Sequence, residues 1–222
     1  MDDQAIEITI IRHGETTNNL IGRFCGRGNY PLAEEGIKFI TDMISKYPYE
    51  VPEKLFRSPA GRCDETAQLI FPGMPSEVVE DLNEISFGDY EEALASEVYK
   101  KDASVTDFFT KKALDSRLPN GESIRECRDR GIRGMNYVIQ QAKEHGWKKV
   151  AVVTHSFIMS LFLPMMASNY TYTFCPNGMG IIVRVQPDDC EKPLLVVGRA
   201  PIGAPVPDMT NNPYVRERNQ TK

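Results

Sequence analysis

The apolar positions of this chain switch repeatedly between a strand period and a helix period. Residues 5–12, AIEITIIR, are rich in β-branched side chains and run into Gly14, which predicts a buried strand with Arg12 and His13 at its C-terminal end. Residues 33–46 place Ile37, Ile40 and Ile44 at near-helical spacing, with Phe39 and Met43 beside them, and predict a helix entered after Pro31. A short strand at 53–57 leads to Ser58-Pro59, a helix at 60–71 stops at Pro72-Gly73, and 76–80 reads as another strand. Residues 90–115 are mixed and polar and predict one or two helices lying over the core. The clearest helix is 122–144, where Ile124, Cys127, Ile132, Met135, Val138, Ile139 and Ala142 make one stripe and Gly146 supplies the stop. Gly131 and Gly134 interrupt it at about 1 kcal/mol each relative to alanine, so close helix–sheet approach is the expected compensation. KVAVVT at 149–154 is a continuous β-branched run, typical of a parallel strand buried on both faces. An apolar helix at 156–167 and two late strands at 179–186 and 193–198 complete the pattern.

Alternating strands and helices predict an α/β fold with a mostly parallel sheet. Such sheets bind ligands beyond the C-terminal ends of their strands. His13 ends the first strand and His155 ends the most buried one, so two of the three histidines fall on that edge. His145, beside Gly146 at a helix end, is given a surface or dipole role. With no internal repeat, the chain reads as one domain over 1–198 and a polar, proline-bearing tail over 199–222. That tail hugs the surface, stays disordered, or closes over the site.

The balance of 41% hydrophobic and 26% charged residues over 222 positions is that of a globular protein. A net charge of -5 argues against a broad nucleic-acid or anionic-membrane surface, while leaving room for a local cationic pocket. The five cysteines include no CxxC pair and are expected to be reduced thiols in a cytoplasmic protein. The N-terminus shows no secretory signal, and no apolar run approaches the roughly 20 residues that span a bilayer. Nothing in the pattern sets an oligomeric state.

Phosphoryl transfer needs a nucleophile, cationic donors around the phosphate oxygens and an acid for the leaving oxygen. A neutral imidazole can attack phosphorus if its other ring nitrogen is oriented. Arg12-His13-Gly14-Glu15-Thr16 at a strand end fits that need: Arg12 offers a planar fork, and Gly14 allows a sharp turn and close approach to a ligand. Alone, the same residues also fit a surface turn.

Five further segments follow in order: GRFCGRGNYPLAEEG, SPAGRCDETA, LNEISFGDYEE, PNGES and VVTHS. Together with RHGETTNN they span residues 8 to 156 and resemble the histidine phosphatase (phosphoglycerate mutase-like) superfamily. The resemblance implies a three-layer α/β/α sandwich and a phosphohistidine intermediate. It places His13 as nucleophile, Glu84 as proton donor, His155 as the second active-site histidine, and Arg12, Arg62 and Asn19 as phosphate ligands. Asn19 could equally orient the His13 loop or cap the next helix. Arg23 and Arg27 lie in the expected substrate loop, and Thr16 and Ser156 are further candidate donors. The implied chemistry needs no metal and no cofactor, and its partner is a small-molecule phosphoester. Glu84 needs a raised pKa, which Ile85 and Phe87 could supply by desolvating it. Ala33 departs from the family's threonine and cannot cap; Phe157 and Tyr90 replace commoner residues. The short Gly88–Gly121 segment and Thr16 favour a phosphatase. The alternatives are a phosphoglycerate mutase-type transfer and a non-catalytic module that binds phosphorylated ligands.

Overall fold

The computed structural model describes residues 5–171, 175–186 and 191–207. Its β-branched runs pair into one six-stranded sheet of order β3-β2-β4-β1-β5-β6. The strands are β1 (Glu7–Arg12), β2 (Lys54–Arg57), β3 (Ser76–Val78), β4 (Lys149–Thr154), β5 (Gly180–Val185) and β6 (Leu194–Ala200). β1, β2, β3 and β4 run parallel, and β5 and β6 add an antiparallel edge. β4 lies near the centre, with Val150, Ala151, Val152 and Val153 all buried, as its unbroken apolar run required.

The helices are α1 (Thr17–Leu20), α2 (Glu34–Lys46), α3 (Gly61–Ile70), α4 (Ala95–Lys101), α5 (Ala103–Lys111), α6 (Ile124–His145) and α7 (Ser156–Met166). α2 packs with α3 and α6 with α7, which gives the helical layers of the α/β sandwich. α4 and α5 account for the polar stretch after residue 90. Ala33 precedes α2 without a side-chain cap, while Ser123 and Glu126 form a reciprocal capping box at the start of α6.

Three expectations change. α2 does not bury Ile37 and Phe39; its inner face is Gly36, Ile40 and Met43. A Cβ on Gly36 would lie 2.3 Å from the Glu15 carbonyl oxygen, so this glycine sets which face approaches. Gly131 and Gly134 make close contacts, but not with the sheet: a Cβ there would meet Phe162 of α7 at 2.9 Å and Leu82 at 2.8 Å. β6 continues two residues past 198, taking in Arg199 and Ala200. Residues 208–222 and Cys190 lie outside the described residues. The other four cysteines are buried free thiols. No helix among the described residues is long and apolar enough to cross a membrane.

Candidate active site

The register of the parallel sheet builds the centre of the site. Arg12 of β1 is paired with Thr154 of β4, and the His13 N–H donates to the Thr154 carbonyl at 2.9 Å. His13 and His155 therefore leave adjacent strands side by side, with ring centroids 5.1 Å apart and planes at 64°. Both are buried. His13 Nδ1 is 2.7 Å from the Gly14 carbonyl oxygen, which can only accept, so Nδ1 carries the proton and Nε2 keeps its lone pair. Burial, then the Arg62 and Arg12 charges, holds the His13 pKa well below the usual imidazole value. The ring is a neutral base.

Gly14 serves this geometry differently from the expected sharp turn. It is not among the positive-φ residues; its contribution is space. A Cβ there would lie 2.7 Å from Ile40 Cδ1 and 3.2 Å from a Leu32 methyl, and its N–H donates to Thr66 Oγ1 at 2.9 Å. Asn177 Nδ2 donates to the His13 carbonyl at 3.1 Å.

Arg62 enters from the first turn of α3 and is wholly buried. Its Nη2 donates to the Gly26 carbonyl at 2.6 Å and to His155 Nδ1 at 3.0 Å, and its Nη1 donates to the Gly28 carbonyl at 3.1 Å. Its Nε has no hydrogen-bond partner and the guanidinium no carboxylate ion pair among the described residues. A guanidinium cannot accept, so His155 Nδ1 must be the acceptor and Nε2 the N–H. That N–H reaches Ser58 Oγ at 2.7 Å. Ser58 follows β2, whose end lies on the other side of β4. Burial first, then Arg62, lowers the His155 pKa well below its usual value. His155, expected as the second active-site histidine, is a neutral ring whose two nitrogens hold Arg62 and Ser58. Arg12 is buried beside His13 and donates through Nη1 to the Cys175 carbonyl at 2.8 Å.

Glu84 comes from the turn after β3. Thr154 Oγ1 ties that turn to β4 by donating to the Leu82 carbonyl at 2.8 Å. The carboxylate is buried, and Oε1 accepts the Ile85 N–H at 2.9 Å and the Ile158 N–H at 3.2 Å. Ile158 is in the first turn of α7, whose N-cap His155 provides no side-chain cap, so Glu84 fills that place. Burial raises the Glu84 pKa, against the lowering effect of the Ile85 N–H, Arg62, Arg130 and the Ile158 N–H. The desolvating neighbours include Ile85 and Phe87, both buried.

Two neutral buried imidazoles, two buried guanidiniums and a buried carboxyl with a raised pKa thus gather beyond the C-terminal ends of the parallel strands. A sequence profile described as the histidine phosphatase superfamily (branch 1) matches residues 8–189. The chain belongs to the histidine phosphatase superfamily. It is 31% identical over 166 residues to the metal-independent phosphoserine phosphatase of Arabidopsis thaliana, covering 72% of this chain and 68% of that one. It is 24% identical over 160 residues to the adenosylcobalamin/alpha-ribazole phosphatase of Escherichia coli K12, covering 71% and 77%. The crystal structure of phosphoglycerate mutase from Bacillus anthracis superposes with a TM-score of 0.76 at 22% identity, covering 89% and 93%, a likeness of fold. The three-layer α/β/α expectation is met.

Several other expected residues of this histidine phosphatase are engaged elsewhere. Thr16 and Asn19 form a reciprocal capping box on α1: Thr16 Oγ1 accepts the Asn19 N–H at 3.1 Å, and Asn19 Oδ1 accepts the Thr16 N–H at 3.1 Å. Asn19 Nδ2 contacts Cys25 Sγ at 3.5 Å. The hydroxyl of Thr16 and the amide of Asn19 are thereby committed to the loop, and the capping alternative for Asn19 is the one observed. Arg23 donates to the Glu92 carbonyl, and Arg27 to the Glu84 carbonyl at 3.2 Å and to Glu122 at 3.1 Å, so both tie loops together. Ser156 sits half-buried at the start of α7, beside the histidine pair. The loop that Arg62 holds is fastened from outside by Glu91, which accepts the Gly26, Arg27 and Phe87 N–H groups at 3.0–3.2 Å and the Tyr30 hydroxyl at 3.2 Å. Sequence reading gave Glu91, Ser58 and Thr66 no role, because each acts on a partner distant in sequence. Phe24, Phe87, Phe109 of α5 and Phe157 of α7 pack with centroids 5.2–6.4 Å apart, which places α5 against this loop and the start of α7.

Proposed function

We propose that this protein hydrolyses small phosphate monoesters through a phosphohistidine formed on His13. The observation that carries the reading is one pairing. A neutral His13, its Nδ1 tied to the Gly14 carbonyl, stands beside a wholly buried Arg62 that has no carboxylate counter-ion among the described residues. Arg62 acts on the Glu84 carboxyl only through space, not as an ion pair; a buried cation without a paired anion is costly, and a phosphate supplies that anion where the imidazole can attack it.

His13 Nε2 attacks phosphorus and the ester P–O bond breaks. Glu84 gives its proton to the departing oxygen, releasing an alcohol. The phosphorylated ring keeps its Nδ1 proton on the Gly14 carbonyl, so its positive charge is hydrogen-bonded at once. Water then attacks phosphorus, the P–N bond breaks, and the water proton returns to Glu84. Inorganic phosphate leaves and both groups are restored. Arg12 and Arg62 hold the phosphoryl oxygens, and His155 and Ser58 hold Arg62. Asn19 and Thr16 shape the loop rather than touch phosphate, and Arg23 and Arg27 set its position. No group of three or more His, Cys, Asp or Glu side chains gathers as metal ligands among the described residues. The substrate class follows the phosphatase relatives, and phosphoserine belongs in the first panel because the protein 31% identical to this one is named for it.

The test is acid-labile phosphate incorporation and p-nitrophenyl phosphate turnover in EDTA, for wild type and His13→Ala. Labelling and EDTA-resistant turnover, both lost in the variant, are expected. EDTA-sensitive turnover surviving in His13→Ala would overturn the mechanism.

A further inference from the structure

The segment Pro119–Ser123 reads from sequence as the start of a long helix, and the Ser123 cap meets that reading. Glu122 acts elsewhere. It accepts Arg130 Nε at 2.7 Å on Oε1 and Arg130 Nη2 at 2.8 Å on Oε2, a bidentate pair whose side chains are 10% and 8% exposed. Apart from a contact of Nη2 with Cys127 Sγ at 3.4 Å, the remaining donors of Arg130 go to one stretch of backbone. Nη1 donates to the carbonyls of Asp81, at 3.0 Å, and Asn83, and Nη2 donates to the carbonyl of Glu84 at 2.9 Å. Glu122 grips the other side of the same turn: its N–H donates to the Ser86 carbonyl at 3.0 Å, and its Oε2 accepts the Ser86 N–H at 3.4 Å.

Two glycines let these segments close. A Cβ on Gly88 would lie 2.1 Å from the Pro119 carbonyl oxygen, and one on Gly121 would lie 2.8 Å from that of Ser86. Gly88 also has φ +58°, in the left-handed region. The turn carrying the acid is therefore held on both flanks, while its carboxylate is fastened through Oε1 to two N–H groups. Arg27 adds a link from the phosphate-site loop, donating to the Glu84 carbonyl at 3.2 Å and pairing with Glu122 at 3.1 Å.

We propose that Arg130 and Glu122 are positioning residues for Glu84, fixing its backbone so that the carboxyl meets the leaving oxygen. Arg27 couples that fixing to the loop held by Arg62. The inference rests on the assignment of Glu84 as the acid. A buried ion pair gains little as a stability device, because desolvation offsets its attraction. What this pair adds is geometry: a guanidinium has five donors in a rigid plane, and here three carbonyls of one turn are aligned on it.

The test compares single-turnover phosphorylation of His13 by p-nitrophenyl phosphate, whose leaving anion needs little protonation, and by an alkyl phosphate, whose alkoxide needs an acid. The active-site concentration comes from the burst. The variants are Glu84→Gln as benchmark, Arg130→Lys, which keeps the charge and loses the fork, and Glu122→Gln, which keeps the shape. An ångström-scale shift of a catalytic group costs about 100-fold, so the alkyl ester should slow by about that factor in all three. The aryl ester should stay within about threefold, since it draws little on the acid. Equal slowing of both esters in Arg130→Lys and Glu122→Gln, while Glu84→Gln discriminates, would overturn the positioning role alone. Failure of Glu84→Gln to discriminate would remove Glu84 as the acid and this inference with it. If Arg130→Lys fails to fold, Glu122→Gln carries the test.

Discussion

Replacing either buried histidine should change how stability depends on pH by an amount that follows from the site. His13 and His155 are both buried, and both have pKa values held well below the reference of 6.5 by burial and by neighbouring guanidiniums. In the unfolded chain each binds a proton as pH falls through about 6.5, while in the native state neither does. The sign follows: the unfolded state binds more protons, so stability is full above about pH 6.5 and falls as the solution is acidified. Between about pH 7.5 and pH 5.5 each histidine removes at most roughly 1.4 kcal/mol, the limit in which the native ring takes up no proton, and the pair at most roughly 2.7 kcal/mol. Glu84 acts in the opposite sense, because its pKa is raised, but it is common to all the variants compared. Urea unfolding of wild type, His13→Gln and His155→Gln at the two pH values isolates the histidine contribution as a difference of differences. Each variant should lose up to about 1.4 kcal/mol less than wild type on acidification, whatever its stability at neutral pH. Profiles that run parallel in all three proteins would refute the reasoning and mean that the rings bind protons equally well in both states.

Two further outcomes separate catalysis from support. In the proposed mechanism, phosphorylation of His13 by an alkyl phosphate requires protonated Glu84, whose pKa burial raises, so the single-turnover rate should fall as pH rises through that raised value. Glu84→Gln should lose this basic limb, and a limb that persists in the variant would belong to another group. Thr16→Val removes the oxygen that caps α1 and should cost about 1 kcal/mol in urea unfolding with KM unchanged. A tenfold rise in KM without loss of stability would instead make Thr16 a phosphate ligand.

The parts of the site that could be read from the sequence are those that sit on regular elements. AIEITIIR and KVAVVT can only be interior strands, and whatever ends two adjacent parallel strands must meet; the register of Arg12 with Thr154 then fixes His13 beside His155. Arg62 and Glu84 carry no such periodic signal and were legible only through the motifs around them. The capping of α1 was half visible: Asn19 was open to a capping role, but its reciprocal partner is Thr16, and Asn19 stands where a capping box usually shows Glu or Gln. Glu91, Ser58 and Glu122 were invisible for a physical reason. Glu91 acts mainly on main-chain N–H groups, and which N–H is left unpaired by the fold is not written in side-chain order; Glu122 pairs with Arg130 and Arg27, a meeting that only the fold brings about. Arg130 left one trace, a charged side chain close to the buried stripe of α6 between Cys127 and Gly134. A charge in that position demands buried acceptors, and the carbonyls of the Glu84 turn are those acceptors.

Crowding two guanidiniums and two imidazoles into one buried volume forces some of them to give up charge. Arginine cannot do so within any pH range the fold survives, so the imidazoles must, and the pKa values of both are driven down by the same two causes, burial and Arg62. The hydrogen bonds then decide which neutral ring is which. Arg62 occupies the lone pair of His155 and turns that ring into a support, while the Gly14 carbonyl takes the proton of His13 and leaves its other nitrogen a base. Two histidines in nearly the same electrostatic surroundings thereby receive different tasks from one donor and one acceptor. The buried positive charge that keeps His13 unprotonated is also the charge that a phosphoryl group needs, so in the proposed mechanism nucleophile activation and substrate recognition draw on a single arrangement of Arg12 and Arg62.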